Sequence, residues 1–304
     1  MVVASPAVAV RAWKPPIAGI REVLHARFTE HAYPPHTHDA WTLFIVDDGV
    51  IRYDLDGRPQ GAVPPMVSVL PPHVVHDGRP ATSRGYRKRV LYLETSVLGE
   101  ELIGPAVDRP VVAVPGIRRR VSGLHDALAC VDDLLEAETR LVFVAEQIRT
   151  ALGGAPLDEP APPGDDLAER MRAYLDARVF QPVTMAAASA DIGASPTQLA
   201  RAFARAFGIP PHAYVLGRRL DAARDRILDG RPLADVATEV GFCDQAHMTR
   251  RFQAFLGTTP GRFAAGARQP PTRRSDARGT ASLPIPGPGS RGVAASPAAR
   301  HPGR

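Results

Sequence analysis

Two groups of side chains in this sequence could do chemistry. The first is His36, His38 and His76, an H-x-H pair in PPHTHDAW and a later histidine in PPHVVHDG. Neutral imidazole offers one donor and one acceptor, so three of them can grip a polar small molecule or hold a divalent metal. The second group lies in the C-terminal half: Thr197, Ala200, Arg201 and Arg205 in SPTQLARAFARAF, then Gln245, Ala246, Thr249 and Arg250 in DQAHMTRRFQAF. Arginine forks onto guanine, glutamine onto adenine, and a small apolar group can touch the thymine methyl. These types therefore suit the base edges and phosphates of double-stranded DNA.

Chemistry of the first kind needs a pocket, and the chain around the histidines reads as short strands. WTLFIVDDGVIRYDLDG puts an apolar run at 41–46 before Asp48-Gly49, then alternates Ile51, Tyr53 and Leu55 with Arg52 and Asp54 up to Asp56-Gly57. Asp-Gly between such runs is a hairpin signal, and MVSVLPP and YRKRVLYLE add further strands, so a small barrel or sandwich is expected. Trp41, Tyr53 and Tyr92 are the aromatic candidates for its lining, although alternation turns about half of strand side chains outward. From 121 to 152 the period becomes helical: Leu124, Leu128, Val131, Leu135, Leu141, Val144, Ile148 and Leu152 form an apolar stripe. It either packs the helices on their own barrel or pairs two chains as a homodimer.

Chemistry of the second kind needs helices that can enter a groove, and here the chain repeats itself. Gly193, Phe203, Gly208, Pro211 and Tyr214 recur as Gly241, Phe252, Gly257, Pro260 and Phe263, offset by 48 at the first pair and 49 at the others. Each copy reads helix, glycine turn, capped helix: MAAASAD, Gly193, then Ser195 with Pro196; and 233–239, Gly241, then Asp244. Leu199, Phe203, Met248 and Phe252 would face inward, leaving the groups named above outward. His247 is expected on the helix surface. A connecting helix is expected over 211–229.

The hydrophobic fraction of 44% and charged fraction of 23% are those of a folded chain, and 304 residues allow two domains. A net charge of +5 favours an anionic partner only weakly. Cys130 and Cys243 have no partner spacing, which suits a reducing compartment. No signal peptide and no run of roughly 20 apolar residues is present, so a cytoplasmic protein without a membrane partner is expected. The proline- and glycine-rich run at 153–165 reads as a linker, and 267–304 as a disordered tail.

From about 165 to 265 the chain resembles the DNA-binding domain of the arabinose-regulator (AraC/XylS) family of bacterial transcription factors, on LARAFARAFGIPPHAYVLGRRLDAARDRILDG and LADVATEVGFCDQAHMTRRFQAFLGTTPGRF. Less specifically, 19–93 resembles the cupin-type sensor domain common in that family. The resemblance implies an α+β multidomain protein: an arm at 1–18, a cupin-like β-barrel that senses an effector at 19–116, a helical dimerisation segment at 117–152, and a tandem helix-turn-helix domain at 166–266. It also implies a regulator, by family habit an activator, with promoter DNA, a small-molecule effector and RNA polymerase as partners. Family base contacts would fall on Thr197, Ala200, Arg201, Gln245, Ala246, Thr249 and Arg250.

Cupin enzymes add a glutamate to their histidines to bind metal. Here DAWTLF follows His38 with no glutamate at that place, so a ligand pocket formed by His36, His38, Trp41, Tyr53, His76 and Tyr92 is expected, with no resident metal or cofactor and no catalytic residues. The rival readings are a metal-dependent cupin enzyme with a helical appendage, which predicts stoichiometric metal, and a protein-interaction module, which predicts no DNA affinity.

Overall fold

The computed structural model describes residues 8–129, 134–155 and 166–267. Val131 and Cys130, the linker beyond Ala155 and the tail beyond Ala267 lie outside the described residues. The strands are Val8–Trp13 (β1), Ile20–Phe28 (β2), Tyr33–His36 (β3), Trp41–Gly49 (β4), Ile51–Leu55 (β5), Arg58–Ala62 (β6), Val67–Leu70 (β7), His76–Pro80 (β8), Tyr86–Leu93 (β9) and Val111–Val112 (β10). They form two antiparallel sheets, ordered β1-β2-β9-β4-β7-β10 and β3-β8-β5-β6.

The two sheets share no paired strand among the described residues, so the closed barrel expected from the sequence is corrected to an open pair of facing sheets. The Asp-Gly signals explain why. Asp56-Gly57, with φ of 52° and 72°, joins β5 to β6 as a tight hairpin. Gly49, with φ of 78°, instead carries the chain from β4 in one sheet to β5 in the other. Part of the expected arm is β1, paired with β2 along its whole length.

Strand alternation sorts the core. From β4, Phe44 and Val46 point to the space between the sheets with Ile51, Tyr53, Leu55 and Val90. Trp41, Leu43 and Ile45 point the other way, into a layer of helices. Those helices are Thr95–Leu98 (α1), Ile103–Asp108 (α2), Ile117–Leu128 (α3) and Leu134–Leu152 (α4). An ion-pair network ties α3 to the sheet: Asp47 accepts from Arg89 at 2.9 Å and from Arg118 at 2.9 Å. The described members of the apolar stripe, Leu124, Leu128, Leu135, Leu141, Val144, Ile148 and Leu152, are all at most 7% exposed within one chain. The stripe therefore packs within the chain, the first of the two readings its sequence allows.

The C-terminal domain consists of Leu167–Ala177 (α5), Met185–Ile192 (α6), Pro196–Phe207 (α7), Pro211–Leu228 (α8), Leu233–Glu239 (α9), Gln245–Leu256 (α10) and Pro260–Ala267 (α11). Helices α6–α7 and α9–α10 are the two copies, joined by α8. Leu199 and Phe203 fill the core of the first, Met248 and Phe252 that of the second. Burying a side chain of this size stabilises by about 1.5–3 kcal/mol.

Helix α4 belongs to both halves. Leu141, Val144, Ala145 and Ile148 pack in the sensor core, whereas Leu135, Val142 and Phe143 join the core of the first helix-turn-helix copy. Polar contacts follow the same seam: Arg251 reaches Glu136 at 2.6 Å, Arg201 reaches Glu146 at 2.7 Å, and the Met185 amide donates to Glu138.

Candidate DNA interface and sensor cavity

Helix α10 is built as its sequence predicts. The Asp244 side chain caps it by accepting from the His247 amide at 2.6 Å, satisfying one of the orphan donors of the first turn. Gln245, Ala246 and Arg250 are exposed and Thr249 half-buried, on the side opposite Met248 and Phe252. His247 departs from expectation. It is 2% exposed, its Nδ1 lies 3.1 Å from Cys243 Sγ, and its ring meets Phe242 edge-on. It holds the start of α10 to the turn, so the surface placement is corrected.

Helix α7 starts with a full capping box. Gln198 N donates to Ser195 Oγ at 3.1 Å and Ser195 N donates to Gln198 Oε1 at 3.0 Å, with Pro196 at the first helical position. Its outward groups are distributed differently from those of α10. Arg205 is exposed, but Ala200 is fully buried beside Leu199 and Phe203. Ala200 is thus corrected from a base contact to a core residue; a methyl is small enough to let α4 and α5 approach α7. Thr197 and Arg201 line a cavity of about 150 Å³ with Leu141, Ala145, Glu146 and Arg149 of α4. The eight expected contact residues thus split into an exposed set on α10 and a set on α7 that α4 partly covers.

The sensor cavity lies between the sheets and has room of about 60 Å³, enough for a few waters or a small polar ligand. His36, His38, Tyr53, His76 and Tyr92 line it as expected. Trp41 does not: it is fully buried on the opposite face of β4. Register assembles the histidines, since His36 pairs with His76 across β3 and β8. The rings stand 4.5 to 5.0 Å apart between centroids. Burial, reinforced by the neighbouring imidazoles His76 and His36, lowers the His38 pKa to about 4, and burial lowers that of His76.

Sequence reading missed Thr42, Tyr33, Tyr86 and Lys88 in this lining. Tyr86, Lys88 and Tyr92 share one parity along β9, so stepping back by two from Tyr92 would have found them. Lys88 Nζ sits 4.5 Å above the Tyr33 ring, and burial pulls its pKa down to about 8. Burial also pushes the Tyr53 and Tyr92 phenols up to about 12. The cavity thus gathers hydrogen-bond donors and acceptors around one lysine, Lys88, whose charge burial disfavours.

Residues 19–143 match the AraC-like ligand binding domain and residues 188–266 a helix-turn-helix domain. The chain is 31% identical over 91 residues to the probable transcriptional regulator LumQ of Photobacterium leiognathi, covering 30% of this chain and 37% of that protein. It is 27% identical over 93 residues to the virulence regulon transcriptional activator VirF of Yersinia enterocolitica, covering 30% and 34%. It is 25% identical over 99 residues to the HTH-type transcriptional regulator ExsA of Pseudomonas aeruginosa, covering 32% and 36%. The match thus spans about a third of the length of each of these relatives. Among solved structures, the AraC-like transcriptional activator CuxR aligns with a TM-score of 0.38 and 15% identity over 70% of this chain and 85% of that one. A probable AraC family regulator from Rhodopseudomonas palustris aligns with a TM-score of 0.32 and 25% identity over 34% and 100%. No helix among the described residues is long and apolar enough to cross a membrane. An AraC-like ligand-binding domain over residues 19–143, followed by a helix-turn-helix domain over residues 188–266, gives the chain the domain organisation of an AraC-type transcriptional regulator.

Proposed function

We propose that this protein is a sequence-specific DNA-binding regulator in which α7 and α10 enter successive major-groove segments, and in which a small molecule in the sensor cavity controls access of α7 to DNA. The observation that carries this reading is the asymmetry of the two copies. Helix α10 presents Gln245, Ala246, Thr249 and Arg250 outward, while α7 holds Thr197 and Arg201 against α4. The arrangement is that of a partly masked reader: α10 can dock as it stands, and α7 docks once α4 releases it. Arg205, exposed near the end of α7, suits a phosphate.

Helix α4 is the natural coupling element, because its other face packs on the sheet that walls the cavity. A ligand shifts DNA affinity only if it binds the released and masked arrangements unequally. The activators among the relatives support an activating role, with RNA polymerase as a further partner; pairing of two chains would need a surface other than the α3–α4 stripe.

The test compares binding of the full chain, by fluorescence anisotropy at fixed salt, to DNA from upstream of its own gene and to a shuffled duplex. The native duplex should be preferred by about a thousandfold. Arg250→Ala should cost about 1–3 kcal/mol on the native duplex and little on the shuffled one. Equal loss on both would make Arg250 a phosphate contact, and equal wild-type affinity for both would sink the reading.

A further inference from the structure

We infer that the cavity in the seam between α4 and α7 is a second small-molecule site, which takes a neutral one-ring aromatic compound bearing a carbonyl oxygen and so holds α7 against α4. Its walls come from both halves of the chain: Val97 of α1 with Leu141, Val142 and Ala145 of α4, and Thr197 with Arg201 of α7. Ligand pockets favour such junctions between domains. The sensor cavity shares none of these residues.

Volume and charge set the class of ligand. The cavity measures about 150 Å³, the size at which an apolar protein cavity takes a benzene ring, whereas the sensor cavity, at about 60 Å³, is too small for one. Arg201 pairs with Glu146 at 2.7 Å and Arg149 with Glu101 at 2.7 Å, so both cations that line the cavity are already balanced. Arg149 is further committed to the carbonyls of Leu98 and Ala155. A carboxylate entering here would lie beside Glu146 and lose its water without gaining an uncommitted cation. Hydrogen-bonding capacity remains, however. Arg201 Nε is buried with no hydrogen-bond partner among the described residues. A buried donor left unmade is costly, so a ligand oxygen that reaches Arg201 gains where a hydrocarbon cannot. Guanidinium planes also stack on aromatic faces, which favours a ring over an aliphatic chain of equal volume.

Occupancy has a direction. A ligand that touches α4 and α7 together binds the arrangement in which they pack, and opposes the one in which α7 is free for DNA. It therefore acts against a ligand in the sensor cavity that releases α7. This effect on DNA rests on the masked-reader account; the site itself does not.

Equilibrium dialysis of the full-length protein against acetophenone should show one molecule bound per chain, with benzoate, its charged counterpart, at least about fivefold weaker. Ala145→Leu fills the cavity, and Thr150→Phe, at an exposed position of its lining, closes the mouth without entering the core. Each should weaken acetophenone binding by about tenfold or more. The melting temperature of each free variant checks that it is folded, and Thr150→Phe keeps the test decisive if Ala145→Leu is not. No binding by the wild type, equal binding by Thr150→Phe, or benzoate bound as tightly as acetophenone would overturn the assignment. In the anisotropy assay, saturating acetophenone should weaken wild-type binding to the native duplex by about tenfold and leave Thr150→Phe unaffected. Acetophenone bound with DNA affinity unchanged would overturn its hold on α7, and the masked-reader account with it, while the cavity would stand as a ligand site.

Discussion

Single residues show where chemical type was informative and where environment decided. His36, His38 and His76 were recognisable from type and spacing alone, because an H-x-H pair on a strand end needs only one partner across a ladder. Trp41 and Ala200 were not, since each has a type that suits a site and a position that faces a core. His125 was invisible to pattern reading, being one more residue in an apolar helix, yet it is fully buried against His25, with ring nitrogens 3.3 Å apart. Burial lowers its pKa well below the ordinary value, and the charge of Arg89 and the neighbouring His25 add to this, outweighing Asp47. Its folded form is neutral while the unfolded chain takes up a proton near pH 6.5, so its stabilisation is present above that pH and is lost as pH falls below it. The melting temperature should therefore fall between pH 7 and pH 5, with a contribution from this one group of at most about 1.4 kcal/mol per pH unit. His125→Leu should flatten the profile. An unchanged slope in that variant would place the pH sensitivity elsewhere, with His25 as the next group to replace.

Elements were legible wherever a local signal coincided with a tertiary need. The capping box at Ser195, the Asp244 cap and the span of α9 follow from local chemistry that tertiary packing does not override. The Asp48-Gly49 step was misleading for a physical reason: a two-residue glycine turn specifies a change of direction, not which sheet the next strand joins. Gly193 and Gly241 look equivalent in the repeat and both have positive φ, 75° and 83°. Their surroundings differ. A Cβ at Gly193 would meet open space, whereas one at Gly241 would lie 2.8 Å from the Phe180 carbonyl oxygen. Gly193→Asn should thus be nearly neutral, since asparagine tolerates the left-handed region. Gly241→Val should destabilise the C-terminal domain by about 1–3 kcal/mol or more through strain and the clash together. Equal losses in the two variants by chemical denaturation would contradict the assigned close approach.

At the scale of the whole molecule, the order of domains was legible but their contact was not. A stripe such as Leu135 to Leu152 reads the same whether it packs on its own sheet, on a second chain or on a neighbouring domain, and α4 uses it for two of these at once. Its charged residues carried the missing information. Glu136, Glu138 and Glu146 meet Arg251, the Met185 amide and Arg201 of the C-terminal domain. Arg201 is 18% exposed and Glu146 35%, so the pair is partly shielded from solvent and couples α7 to α4 more firmly than a surface pair would. The most direct test of masking is the affinity of the full chain for its own upstream duplex with and without Glu146→Gln, at fixed salt and with a shuffled duplex as control. Release of Arg201 should strengthen binding to the native duplex by about tenfold, equivalent to about 1.4 kcal/mol, and leave the shuffled duplex unaffected. Unchanged or weaker binding to the native duplex would mean that α7 reads DNA with α4 in place, and the masked-reader account would be wrong.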